Sequence, residues 1–105
     1  MKMSFDNPGY VTSGFQAEIP LVVQVCLMSE IDRLSRLDSE EVDYLQIFEL
    51  KRKITNGNVY QEIVVEQEQP QKKHSICFPF DEAVTRKVYC IDSEEYHTYL
   101  LAEEY

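Results

Sequence analysis

Two histidines and three cysteines are the residues of this chain whose types best suit acid–base or nucleophilic chemistry. His74 and Cys77 are the nearest such pair in sequence. A spacing of three along a strand turns two side chains to opposite faces, so their proximity does not by itself make a nucleophile and its base. His97 lies in the run Tyr96-His97-Thr98-Tyr99, with no cysteine or serine patterned around it. Strand histidines that are solvated or satisfied by local partners are the expectation. A thiol–imidazole pair assembled only by folding stays open, and the alternative it belongs to is a small cysteine-dependent enzyme built on Cys77, Cys90 or His97. No catalytic residue is assigned, and the chain is read as a non-enzyme.

Metal and phosphate chemistry find no better footing. The chain has no Cys-x-x-Cys, no His-x-x-x-His and no alternating carboxylate loop closed by a bidentate glutamate. Glu40, Glu41 and Asp43 could attract a hard cation weakly, and a solvated loop after a helix is the simpler reading. Gly9, Gly14 and Gly57 are isolated, so no glycine-rich phosphate cradle is present. No cofactor and no metal ligand are expected.

What stands out is charge. Nineteen Asp and Glu against ten Lys and Arg give a formal net charge of −9 over 105 residues. From Val88 to Tyr105 there are five acids and no Lys or Arg. A negative field opposes binding to another polyanion, so direct contact with nucleic acid is not expected. The bases occur as Lys51-Arg52-Lys53, Lys72-Lys73 and Arg86-Lys87, on earlier segments. The chain also has seven tyrosines and no tryptophan. Tyrosine combines apolar area with a polar tip and is enriched at protein interfaces. The candidate partner-binding residues are therefore Asp92, Glu94, Glu95, Tyr96, Tyr99, Glu103, Glu104 and Tyr105, facing a protein partner with a basic surface.

The elements that must hold these residues can be read from the pattern. With 105 residues, 44% apolar and 11% aromatic, the chain fits one globular domain spanning 1–105. No apolar segment at the N-terminus reads as a signal peptide, and Ile19 to Met28, broken by Gln24, is too short to span a bilayer. An odd number of scattered cysteines fits a reducing compartment, so a cytosolic location, reduced and mostly buried thiols and no membrane contact are expected. Val23, Leu27, Ile31 and Leu34 recur at helical spacing from Pro20 to about residue 37, and Val22 and Cys26 widen the stripe.

Asn56-Gly57 is the preferred pair for a two-residue type I′ turn. A turn there pairs residues whose numbers add to 113, setting Phe48 opposite Val65, Leu50 opposite Ile63 and Lys51 opposite Glu62. Further strands are expected at His74 to Phe78, Arg86 to Ile91 and Tyr96 to Ala102, with a brief one at Tyr10 to Thr12. The fold class is α+β: one amphipathic helix packed on one face of an antiparallel sheet of five or six strands.

Three stretches carry a resemblance: Tyr10-Val11-Thr12-Ser13-Gly14, Asp43-Tyr44-Leu45-Gln46-Ile47-Phe48-Glu49-Leu50, and the terminal Leu100-Leu101-Ala102-Glu103-Glu104-Tyr105. Together with Ile31-Asp32-Arg33-Leu34 and Val88-Tyr89-Cys90-Ile91-Asp92, they resemble a family of small acidic proteins from Gram-positive bacteria and their phages, classified as a domain of unknown function. The chain departs from it at Met28, where an aromatic is expected, and between Glu66 and Lys73. The resemblance transfers no catalytic residue. It implies a stand-alone cytosolic protein of phage or mobile-element origin. The function expected is a non-catalytic acidic binding protein, in its sharpest form an anti-CRISPR or other anti-defence inhibitor of a nucleic-acid-binding protein. A housekeeping regulator, or a homodimer joined through an open sheet edge, is the other alternative.

Overall fold

A computed structural model describes residues 4–105. Strand β1 (Gly9–Val11) leads into two helices, α1 (Ser13–Glu18) and α2 (Leu21–Leu34). The strands β2 (Leu45–Thr55), β3 (Asn58–Gln67), β4 (Lys72–Pro79), β5 (Arg86–Asp92) and β6 (His97–Leu101) follow. They form one six-stranded sheet in the order β1-β6-β5-β2-β3-β4. The architecture is α+β, with both helices on one face of the sheet.

The hairpin register agrees with the turn chemistry. Phe48 pairs with Val65, Leu50 with Ile63 and Ile54 with Val59. Asn56 and Gly57 both take positive φ, at 52° and 80°, as a type I′ turn demands. Lys51 and Glu62 are direct partners, yet the ion pair forms diagonally, with Lys53 Nζ 2.9 Å from Glu62. A long lysine chain reaches a diagonal neighbour as readily as the opposite one.

In α2, Val23, Leu27, Ile31 and Leu34 are buried as the spacing predicts, together with Gln24. Val22 is a correction: it is half exposed, and with Leu21, Val25 and Met28 it lies on the solvent side. Pro20 is the residue just before the helix rather than its first, and the last turn stops at Leu34. Arg36 and Leu37 follow in tighter turns, bonded to the carbonyls of Arg33 and Leu34.

Two features depart from expectation. The helical layer has a second member, α1, which is six residues long. It is too short to show a period. Thr12 caps it by accepting from Phe15 N, Phe15 is buried against Tyr99, and the Gln24 amide donates to the Ile19 carbonyl beyond its end. The edge strand β1 also runs parallel to β6, whereas every other pairing is antiparallel. Among the described residues, no helix is long and apolar enough to cross a membrane.

Phe48, Leu50, Ile63, Val65, Val88, Cys90, Tyr99 and Leu101 form the helix-covered side of the sheet and close the core with Phe15, Leu27 and Ile31.

Candidate functional site

The eight candidate residues do not form one surface. They flank β6, whose five residues separate Glu95 from Glu103 by roughly 15 Å of strand. Asp92 is turned inward. Its carboxylate accepts from Phe5 N at 3.0 Å, Asn7 Nδ2 at 2.9 Å and Glu94 N at 3.1 Å, tying the N-terminal segment and the β5–β6 turn together. Tyr99 is a clear correction: at 3% exposure it belongs to the core. Its register position opposite Cys90 puts it on the helix-covered face, where burial pushes the phenol well above its usual range.

At the far end, Glu103 pairs with Arg86 at 3.3 Å, and Arg86 also pairs with Glu18 at 3.2 Å. Glu104 accepts from the Thr12 hydroxyl at 2.7 Å and from Leu101 N at 2.8 Å. Those bonds, the Thr12 hydroxyl foremost, hold its pKa below the ordinary carboxylate value. A Cβ on Gly14 would come within 2.5 Å of that carboxylate, so a side chain there would push the Glu104 carboxylate aside. Glu104 and Asp92 thus serve as internal fasteners.

Glu94, Glu95 and Tyr96 remain outward. The turn that carries them is closed by Ser93 N donating to the Tyr96 carbonyl at 2.8 Å, with Glu94 in the left-handed region at φ 74°. Tyr96 stacks edge-on against Tyr10, with centroids 5.7 Å apart, and both rings are exposed, at 44% and 58%. Glu94 and Glu95 have no ion-pair partner among the described residues. Asn7 Nδ2 also donates to the Glu94 carbonyl, which brings exposed Asp6 to the same corner.

Strand parity shows what this corner belongs to. The registers set Tyr10, Thr98, Leu100, Tyr89, Ile91, Leu45, Ile47 and Val64 on the side of the sheet away from the helices. Most are half-buried, so the face is a shallow apolar surface with no α-helix over it among the described residues. Tyr60 lies on it too, and Tyr105 reaches it by stacking edge-on against Tyr89 at 5.5 Å. Five of the seven tyrosines therefore gather on or at the rim of one bare face. Tyr10, Tyr60 and Tyr89 were missed because their shared side depends on strand order. Only the hairpin register was readable, and it placed Tyr60 alone.

Lys51, Lys53, Lys73 and Lys87 occupy the other half of this face, interleaved with Glu49, Glu62 and Glu66. Glu49 pairs with Lys87 at 3.7 Å and Glu62 with Lys53 at 2.9 Å, so two of these four lysines are paired where they stand. Glu94 and Glu95 put unpaired acid at the β1–β6 corner.

The thiols and imidazoles take separate places. Cys90 is buried, and its thiol is raised far above the usual value, chiefly by desolvation and secondarily by Asp92. Cys77 is exposed, which corrects the expectation of mostly buried thiols. It sits opposite Glu62 on the bare face, whereas His74 sits opposite Val65 on the covered one. His97 is buried, with Nδ1 2.7 Å from Asn7 Oδ1 and the rings of Phe5 and Tyr99 edge-on to it. Asp43, singled out with Glu40 and Glu41, accepts from Gln69 N at 2.9 Å and Glu68 N at 3.3 Å, and Glu41 pairs with Lys72 at 2.8 Å. Among the described residues, no group of three His, Cys, Asp or Glu is placed to hold a metal ion.

The family described as "Staphylococcal protein of unknown function (DUF960)" matches residues 9–104. The chain belongs to this family. The match begins at β1 and ends in the last turn, so it includes the bare face and its acidic corner. A crystal structure of a protein of unknown function from Enterococcus faecalis shares the fold, with a TM-score of 0.71 at 21% identity. The alignment covers 100% of this chain and 96% of that one. No curated protein matches the chain.

Proposed function

We propose that this chain is a non-catalytic binding protein that docks on a protein partner through the bare face of its sheet, oriented by the acidic β1–β6 corner. The carrying observation is the exposed, mutually stacked pair Tyr10 and Tyr96 beside the unpaired carboxylates of Glu94 and Glu95. Rigid aromatic anchors lose little conformational entropy on binding, and hot spots favour tyrosine. Unpaired carboxylates at the rim select a partner with Lys or Arg at the matching position and speed the encounter. The surface foreseen as one acidic C-terminal patch is thus narrowed to Glu94, Glu95, Tyr96 and Tyr105, joined by Tyr10 and Tyr89.

In its sharpest form the partner is a nucleic-acid-binding protein whose basic groove the corner occupies, as an anti-CRISPR or other anti-defence inhibitor from a phage or mobile element would do. Carboxylates held on a rigid sheet compete for the cations that contact phosphates.

The test is capture of a partner from host lysate at low and high salt, using the wild type, Tyr10→Ala/Tyr96→Ala and Glu94→Gln/Glu95→Gln. The expected result is one salt-sensitive partner, lost at least tenfold by either double variant and displaced by added nucleic acid. A Glu103→Gln control should capture normally. Equal capture by both double variants would remove the proposed surface, and indifference to nucleic acid would remove the inhibitor form of it.

A further inference from the structure

The helix-covered side of the sheet holds a cavity of about 270 Å³ between the C-terminal end of α2 and the β3–β4 hairpin. Arg33, Lys72 and His74 line it, with Lys73 and Glu66 at strand positions that turn their side chains to the bare face. Two of the ten Lys and Arg residues and one of two histidines meet on the covered side at one concavity in a chain of charge −9. The wall is apolar, from Leu34, Leu37 and Val65, and two buried amides, Gln46 and Gln67, stand deeper. These amides are fixed: Gln46 Nε2 donates to Gln67 Oε1 at 2.8 Å, and Gln67 Nε2 donates to the Glu41 and Pro70 carbonyls at 3.0 and 2.8 Å. The site is therefore a preformed concavity with a rigid polar floor, an apolar wall and a cationic rim.

We propose that this cavity binds a small phosphate monoester, its phosphate on Arg33, Lys72 and His74 and its compact body against Leu34, Leu37 and Val65. The size limits the body to a few carbons or a sugar, below the usual range for drug-sized ligands. A guanidinium fork, an ammonium and an imidazole supply the donors that a doubly charged, three-oxygen head requires.

The carboxylates now holding the rim are replaceable. Lys72 pairs with Glu41 across two exposed side chains, and such a pair contributes little. Glu30 is the real competitor: its carboxylate lies 2.5 Å from His74 Nε2 and 3.4 Å from Arg33. The ligand must take both groups from it, and Glu30 sets the affinity by occupying them when the cavity is empty. Glu41, Glu66 and Asp43 are the other acids nearby, and Asp43 is held by backbone N–H groups.

Titration of the amide NMR spectrum with ribose 5-phosphate tests this, with inorganic phosphate, ribose and succinate as comparisons. The expected result is saturable shifts at Arg33, Leu37, Gln67 and His74, with the ester binding at least tenfold more tightly than any comparison. Lys72→Gln and Arg33→Gln should each weaken it about tenfold while leaving the thermal midpoint nearly unchanged, since both side chains are exposed. Glu30→Gln should tighten it severalfold by freeing His74 and Arg33. Linear shifts without saturation, equal binding of succinate, or weaker binding in Glu30→Gln would each overturn the proposal.

Discussion

Gln61 is fully buried in β3, and its amide serves the backbone of three segments. Its Nε2 donates to the carbonyls of Lys51, Glu62 and Val84, and its Oε1 accepts from Val84 N at 2.8 Å. Gln61→Leu keeps the volume but leaves those buried groups unpaired. It should cost about 3 kcal/mol, read as a lower urea midpoint. His97 makes a prediction for pH. Burial lowers its pKa below 6.5, and the nearby Asp92 only partly offsets this. The fold therefore prefers the neutral ring, so this contribution is full above about pH 6.5 and is lost as pH falls toward the lowered folded value. Thermal midpoints measured downward from pH 7 should drop in the wild type, and His97→Gln should flatten that drop near pH 6. The sequence marked both histidines as chemically interesting. It could not show that one is latched to Asn7 and the other to Glu30, since those partners are 90 and 44 positions away.

At the scale of elements, what local chemistry dictates was readable and what distant pairing dictates was not. The β2–β3 hairpin followed from Asn56-Gly57 because two residues with positive φ fix both turn type and register. Gly57 has open space around its Cβ position, so Gly57→Ala should cost only conformational strain, about 1 kcal/mol, with the register unchanged. A larger loss in chemical denaturation, or altered cross-strand NOE contacts, would contradict this. Helix α2 was visible through its period, although periodicity alone put Val22 on the wrong side. Helix α1 escaped because six residues give no period, and tertiary burial of Phe15 holds it in place. The parallel β1–β6 pairing escaped because Gly9 and His97 carry no mutual signal.

Across the whole molecule, net charge and exposed ion pairs act in opposite directions as salt is added. The surface pairs are mostly solvent-exposed and contribute little each. Mutual repulsion of a −9 chain is spread over the entire surface and is screened within about 10 Å at 0.1 M salt. Adding about 0.3 M NaCl should therefore raise the thermal midpoint by a few degrees, and a fall would mean that the ion pairs dominate. The same salt should weaken capture of a basic partner, because there the charges attract. Opposite responses of stability and binding separate the two roles of the acidic excess.

The amino-acid order by itself determined the α+β class, the main helix, the long hairpin with its register and the acidic C-terminal excess. Each of these rests on neighbours in sequence: a helical period, a turn pair or a local count of charge. Tertiary structure alone decided which acids face outward. Asp92 and Glu104 look identical in sequence to Glu94 and Glu95, yet backbone N–H groups and hydroxyls folded against them turn them into fasteners. It also decided that Tyr99 lies in the core while Tyr10 and Tyr96 stack on the opposite side of the sheet. The reason is parity: a strand alternates its side chains without saying which face will be covered. That choice is made only when the helices pack on one side and leave the other bare.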